Sequence, residues 1–156
     1  MKKFKWPIYT AFILFVEAIG ALSGFLTQNS MEAYESLIKP PLTPPGIVFP
    51  IVWGVLFLLM GIGAARIYLS DKPGWKQALI IFGVQLAVNF LWSLLFFNLQ
   101  ALGFSFIWLI VLWVLIILMI ISFWKVDRPA ALLQIPYLLW VTFAGYLNCA
   151  IWLLNK

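Results

Sequence analysis

Apolar side chains run along this chain in long blocks, interrupted by short clusters of charge, proline and amides, with none of the strict alternation of a half-buried strand. The longest uncharged block covers 77–124. As one helix rising about 1.5 Å per residue it would be about 70 Å long, more than twice the roughly 30 Å hydrocarbon thickness of a bilayer. It must therefore fold back on itself. The polar break Asn98-Leu99-Gln100-Ala101, with Gly103 behind it, is the place for a hairpin. The same length test predicts helices at about 7–26, 46–69, 76–98, 102–124 and 130–154. Membrane β-strands would alternate over roughly 10 residues, so the predicted fold class is an all-α membrane protein. Its expected form is a compact bundle of five transmembrane helices, one domain over 1–156, with a structured loop between the first two.

That loop, 27–45, is the only connection long enough to have a shape of its own. Ser30 before Met31-Glu32-Ala33-Tyr34-Glu35 reads as an N-cap with acid in the first turn, which predicts a short helix. Lys39 is followed by Pro40, Pro41, Pro44 and Pro45, which no helix interior tolerates. The other links are short and make successive helices antiparallel neighbours.

Composition sharpens this picture. Hydrophobic residues make up 65% and charged residues 10%, against roughly 45–50% and about 25% in a soluble domain, which leaves no material for a water-soluble unit. If five helices alternate, Lys2, Lys3, Lys5, Arg66, Lys72, Lys76, Lys125 and Arg128 share one side, and only Lys39 and Lys156 fall on the other. By the positive-inside rule the N-terminus is cytoplasmic, with the proline-rich loop and C-terminus outside, as suits a bacterial cytoplasmic membrane. The net charge of +5 is scattered over short loops. It suits anionic lipid headgroups and offers no clustered surface for nucleic acid. The first 24 residues also have the outline of a signal peptide, but Glu17 would interrupt its apolar region.

Candidate chemistry is sparse. With no histidine and a single cysteine, Cys149, a zinc site, a histidine-ligated haem and an intrachain disulfide are not expected. No nucleophile stands with a base and an orienting partner. What remains is polar and aromatic. Gln85, Asn89 and Ser93 are spaced by four, so they share one helix face with Trp92 and Phe96 beside them. Trp140, Ala144 and Asn148 form a similar line, preceded by Tyr137. Such amides either bond between helices or orient a flat, mostly apolar ligand in a pocket. Glu17 is the only carboxylic acid expected inside a span, a functional position by default unless it is neutral or bonded to a neighbour.

Of the nine tryptophans, Trp6, Trp75, Trp124 and Trp152 lie near predicted span ends, where an interfacial belt accounts for them. Trp53, Trp92 and Trp140 accompany the pocket-like polar residues, whereas Trp108 and Trp113 come from a nearly all-apolar helix and are expected to meet lipid or a partner. Small residues four apart, Gly20 and Gly24, Gly61 and Ala65, Gly83 and Ala87, permit close packing within the bundle or in a dimer.

Three stretches, YESLIKPPLTPPGIVFPIVWGVLF over 34–57, QLAVNFLWSLLFF over 85–97 and PYLLWVTFAGYLNCAIWLLN over 136–155, resemble in order and spacing the signatures of the TspO/MBR family. Its members are called tryptophan-rich sensory proteins in bacteria and translocator proteins in mitochondria. The resemblance implies a five-helix bundle, often a homodimer, whose pocket beneath the first loop binds porphyrins such as protoporphyrin. In animal members it implies cholesterol and benzodiazepine-type or isoquinoline drugs as well, and in bacterial ones light- and oxygen-dependent porphyrin breakdown. No cofactor is obligatory, and the porphyrin is ligand or substrate. By motif position the pocket residues are Tyr34, Pro44, Pro45, Trp53, Phe57, Asn89, Trp92, Tyr137, Trp140, Phe143, Ala144 and Leu147, with Trp53 and Trp140 flanking the macrocycle and reacting with it. Prolines suit a lid, since a fixed φ and a missing N–H reduce both the entropy lost on closing and the unpaired donors over an apolar pocket. The basic residue that a sterol motif needs after Tyr146 is missing, which argues against high-affinity cholesterol binding. Leu42 also stands where animal relatives carry an aromatic residue. Two other functions fit an apolar bundle: passage of porphyrins or other lipophiles across the membrane, and a ligand-responsive scaffold.

Overall fold

The computed structural model describes residues 5–156 and is all-helical. Its long helices are α1 (Trp6–Thr27), α3 (Val48–Ser70), α4 (Trp75–Ser93), α5 (Leu102–Val126) and α7 (Ile135–Asn155). Short helices α2 (Met31–Glu35) and α6 (Arg128–Leu132) lie in two of the connections. Five helical segments are long and apolar enough to cross a membrane.

Local chemistry sets the boundaries. Thr27 turns its hydroxyl back to the Ser23 carbonyl at 2.9 Å, and the chain tightens into a 3-10 turn, Gln28–Ser30, that leads directly into α2. Helical structure thus reaches Glu35, and the open loop is shorter than the 27–45 expected. Ser30 does precede α2, but its hydroxyl donates to Asn98 Oδ1 rather than capping the helix. The prolines then hold the chain non-helical up to the turn before Val48. Leu42, in their midst, has φ of 75°, a left-handed conformation that costs a β-carbon-bearing residue about 1–2 kcal/mol.

The expected hairpin after α4 is entered through a wide π-type turn, Leu94–Asn98, in which the Leu99 N–H reaches the Leu94 carbonyl at 3.0 Å. At the other end of the bundle the segment expected as one helix from 130 is divided. Asp127 caps α6 by accepting from the Ala130 N–H at 3.2 Å, and Pro136 sits in the first turn of α7, where its missing N–H costs nothing.

Helix α1 packs on α3, α4 on α5, and α5 on α7. Gly61 makes the first crossing close: a Cβ there would lie 2.7 Å from the Ile13 Cα. Gly83, by contrast, faces open space on the outside of α4, beside the exposed Ala87. Met60, Ile67, Leu112, Ile116, Met119 and Phe123 are fully buried and fill the half of the bundle away from the loop. An Arg66 Nε to Asp127 Oδ2 contact of 2.6 Å ties the end of α3 to the α5–α6 turn at that far end. Lys5, Lys72, Lys76, Lys125 and Arg128 lie at the same end, and Lys39 and Lys156 at the loop end. Lys2 and Lys3, counted in the charge asymmetry, lie outside the described residues.

Candidate ligand-binding cavity

The polar stripes of α4 and α7 meet in the bundle. Asn89 Nδ2 donates to the Tyr137 hydroxyl at 2.7 Å, and that hydroxyl donates to Gln85 Oε1 at 2.6 Å. One turn nearer the loop, Trp92 Nε1 donates to Asn148 Oδ1 at 3.0 Å, while Asn148 Nδ2 donates to the Leu102 carbonyl at 3.0 Å. All four amide and phenol side chains are buried, and each makes at least one hydrogen bond to a neighbouring helix, as a dry interior favours. The bonds between helices are therefore made, and Asn89 and Asn148 also border open space.

That space is a cavity of about 680 Å³ in the loop half of the bundle, walled by α1, α3, α4 and α7 and by the segment from Gln28 to Ile47. Helices α3 and α7 are bridged across it by large rings rather than by close backbone contact. Phe49 meets Trp140 edge-on with centroids 5.9 Å apart. Trp53 meets Tyr137 edge-on at 6.1 Å and stacks on Phe57 at 5.5 Å. Trp92 stacks on Phe96 at 5.3 Å with only 18° between the planes.

The indole N–H groups divide the tryptophans by role. Trp92 donates to Asn148, Trp108 to the Val88 carbonyl at 2.8 Å, and Trp113 to the Thr142 hydroxyl at 2.9 Å. Trp53 and Trp140 line the cavity, make no hydrogen bond to any described residue, and neither nitrogen is sealed away inside the protein. Trp108 therefore differs from the expectation of lipid or partner contact: it is half-buried and braces α5 against α4. Trp113 is partly exposed on the outside of α5.

The loop is held down by residues far away in sequence. Asn98 accepts from Ser30 and donates to the Leu26 carbonyl at 2.9 Å. Tyr146 donates to the Pro41 carbonyl at 3.0 Å. The Asn155 side chain both accepts from and donates to the backbone of Ile38.

Of the residues that the resemblance assigns to a pocket, Tyr34, Trp53, Phe57, Asn89, Trp92, Trp140, Ala144 and Leu147 line the cavity. The others lie outside its wall. Tyr137 is fully buried below it and acts on it through Asn89 and Trp53. Phe143 packs behind Trp140 at 5.6 Å. Pro44 and Pro45 belong to the loop beyond the lining. The structure adds Glu17, Met31, Phe49, Phe97 and Ile151 to the wall, and Asn98 and Asn155 to the loop anchors. An amide at each of two span ends was the available signal for the anchors, and an acid inside a span was the signal for Glu17; the added apolar wall residues carry none, since apolar residues of a bundle look alike until the helices are rotated into place.

Comparison with known proteins agrees with this architecture. The TspO/MBR family model matches residues 12–153. "Protein CrtK" of Rhodobacter capsulatus is 40% identical over 150 residues, covering 95% of this chain and 92% of the relative. "Tryptophan-rich protein TspO" of Chlorobaculum tepidum is 38% identical over 144 residues, covering 88% and 89%. "Translocator protein" of Bos taurus is 32% identical over 155 residues, covering 97% and 92%. A match that spans nearly all of the chain, on a bundle with five apolar helices, places this multi-pass membrane protein in the TspO/MBR family.

Proposed function

We propose that the cavity binds a flat, largely apolar tetrapyrrole of the protoporphyrin type, and that Trp53 and Trp140 quench the excited pigment and react with its photoproducts. One observation carries this reading: indoles from α3 and α7, with N–H groups unclaimed by the protein, border a cavity of about 680 Å³, within the 300–1,000 Å³ range usual for small-molecule sites. Stacking and burial supply the affinity, and the Asn89 and Asn148 amides orient the ring. Its carboxylate edge belongs at the loop end, where the Lys39 ammonium lies 5.1 Å from the Tyr34 ring centre. Of the functions that fit an apolar bundle, binding and conversion suit the floor better than straight passage, because Gln85, Tyr137 and Met60 fill the level beneath the cavity. The test is titration of purified protein with protoporphyrin, followed by illumination in air. Quenching of tryptophan emission and pigment loss are expected, both reduced in the Trp53→Phe/Trp140→Phe variant. Unchanged quenching and pigment loss in that variant would overturn the proposed role of the indoles.

A further inference from the structure

Glu17 lies on the cavity wall at the deep end of the α1 face, ten residues or about 15 Å below Thr27. Its carboxyl makes no hydrogen bond or ion pair with any described residue, and it is not sealed inside the protein. Among the described residues no lysine or arginine lines the cavity, and Tyr34, up at the loop end, is the only other titratable side chain in the wall. An unpaired acid facing an apolar chamber loses the solvation it would have in water and gains nothing from the protein in return. A ligand that brings a donor to this spot restores the lost interaction. The surrounding rings, Phe57 one helix away and Trp53 one turn further, accept only a flat, apolar body.

We infer that Glu17 selects a second class of ligand: flat aromatic molecules carrying an amine at one edge, seated with that edge down against the carboxyl. The inner N–H groups of a porphyrin lie at the middle of the macrocycle, out of reach of an acid that meets the ring edge. The porphyrin's own carboxylates would be repelled from the deep end, which agrees with their placement near Lys39. The inference rests on the proposed cavity as a ligand site and adds a polarity to it, acid below and ammonium above.

Equilibrium binding to the full chain, followed by tryptophan fluorescence, tests this with a matched pair: aminoacridine, a cation near neutral pH, and acridine, which is neutral there. The native protein is expected to prefer the amine by about tenfold, the value of one charge-assisted hydrogen bond. Glu17→Gln should abolish the preference for the amine over acridine, while Glu17→Asp should retain part of it. If the Gln variant loses acridine binding too, the Asp variant decides, since a preference surviving there requires the acid. An equal preference in native protein and Glu17→Gln, with protoporphyrin still bound, overturns the role of Glu17 alone. Failure of acridine, aminoacridine and protoporphyrin alike to bind native protein overturns both readings.

Discussion

The side chain of Asn155, in the last turn of α7, donates to the Ile38 carbonyl at 2.8 Å and accepts from the Ile38 N–H at 3.0 Å, across 117 residues of sequence. This is the pairing a β-strand would offer, supplied by one amide to a loop that has no strand. It ties the loop to the end of α7 without apolar bulk. Asn155→Ala removes both bonds, worth about 1 kcal/mol each at most in an exposed setting. The expected result is faster amide hydrogen exchange across the loop and release of bound protoporphyrin about fivefold faster, with little change in the thermal midpoint. An unchanged exchange pattern would mean that Tyr146 and Asn98 suffice to hold the loop.

Below the cavity the energetics are different. Tyr137 serves two buried amides at once, and Tyr137→Phe leaves the Asn89 donor and the Gln85 acceptor without it. An average interhelical hydrogen bond in a membrane is worth about 0.6 kcal/mol, but a stranded buried polar group costs about 1–3 kcal/mol. The second effect is the larger. Thermal unfolding in detergent should show a loss of about 2 kcal/mol, and Gln85→Leu in the Tyr137→Phe background should recover part of it by removing an orphaned acceptor. A double variant as unstable as the sum of the singles would contradict that coupling.

These residues also mark where reading the sequence succeeds. Long apolar runs leave helices as the only solution in lipid, so the five-helix class was legible from length and charge alone. The Gln85–Asn89 stripe was legible because spacing by four fixes one face whatever the surroundings. The partners of Asn155 and Asn98 were not, because nothing local distinguishes an amide that caps its own helix from one that reaches a segment 68 to 117 residues away. The rotation of α1, which turns Glu17 toward the cavity, was hidden for the same reason: α1 has only Val16 and Thr27 buried, too few to show a preferred face. The role of Trp108 was masked by its nearly all-apolar helix, since the carbonyl it seeks belongs to the neighbouring backbone.

The far end of the bundle carries a pH signature. Two nitrogens of Arg66 bond the two carboxylate oxygens of Asp127 at 2.6 and 3.3 Å, and this hydrogen-bonded guanidinium holds the Asp127 carboxyl below its ordinary value of 3.8. For an acid whose pKa is lowered on folding, the stabilisation is fully present above the unfolded pKa and disappears as pH falls toward the folded one. Native protein is thus expected to exceed Asp127→Asn in thermal stability near neutral pH, and the gap should begin to close only below about pH 4. Because Arg66 is 36% exposed, the gap should be modest and shrink in high salt. A gap that stays constant through the acid range would assign the aspartate's effect to capping of α6 alone.

Two glycines on neighbouring helices should respond oppositely to the same substitution. At Gly61 an added methyl meets the Ile13 backbone, which cannot step aside without moving α1, so Gly61→Ala should destabilise by a few kcal/mol, on the order of an overpacked core. At Gly83 nothing lies within 4 Å, and alanine there should be harmless or favourable by up to about 1 kcal/mol through helix propensity. The bulkier Gly83→Leu then separates two arrangements of the α4 outer face. If that face meets only lipid, the variant keeps native stability and native mass on size exclusion in detergent. If a second copy packs there, as small residues four apart permit, the variant runs as a monomer where the native chain runs as a dimer, while Gly61→Ala loses stability without changing the assembly.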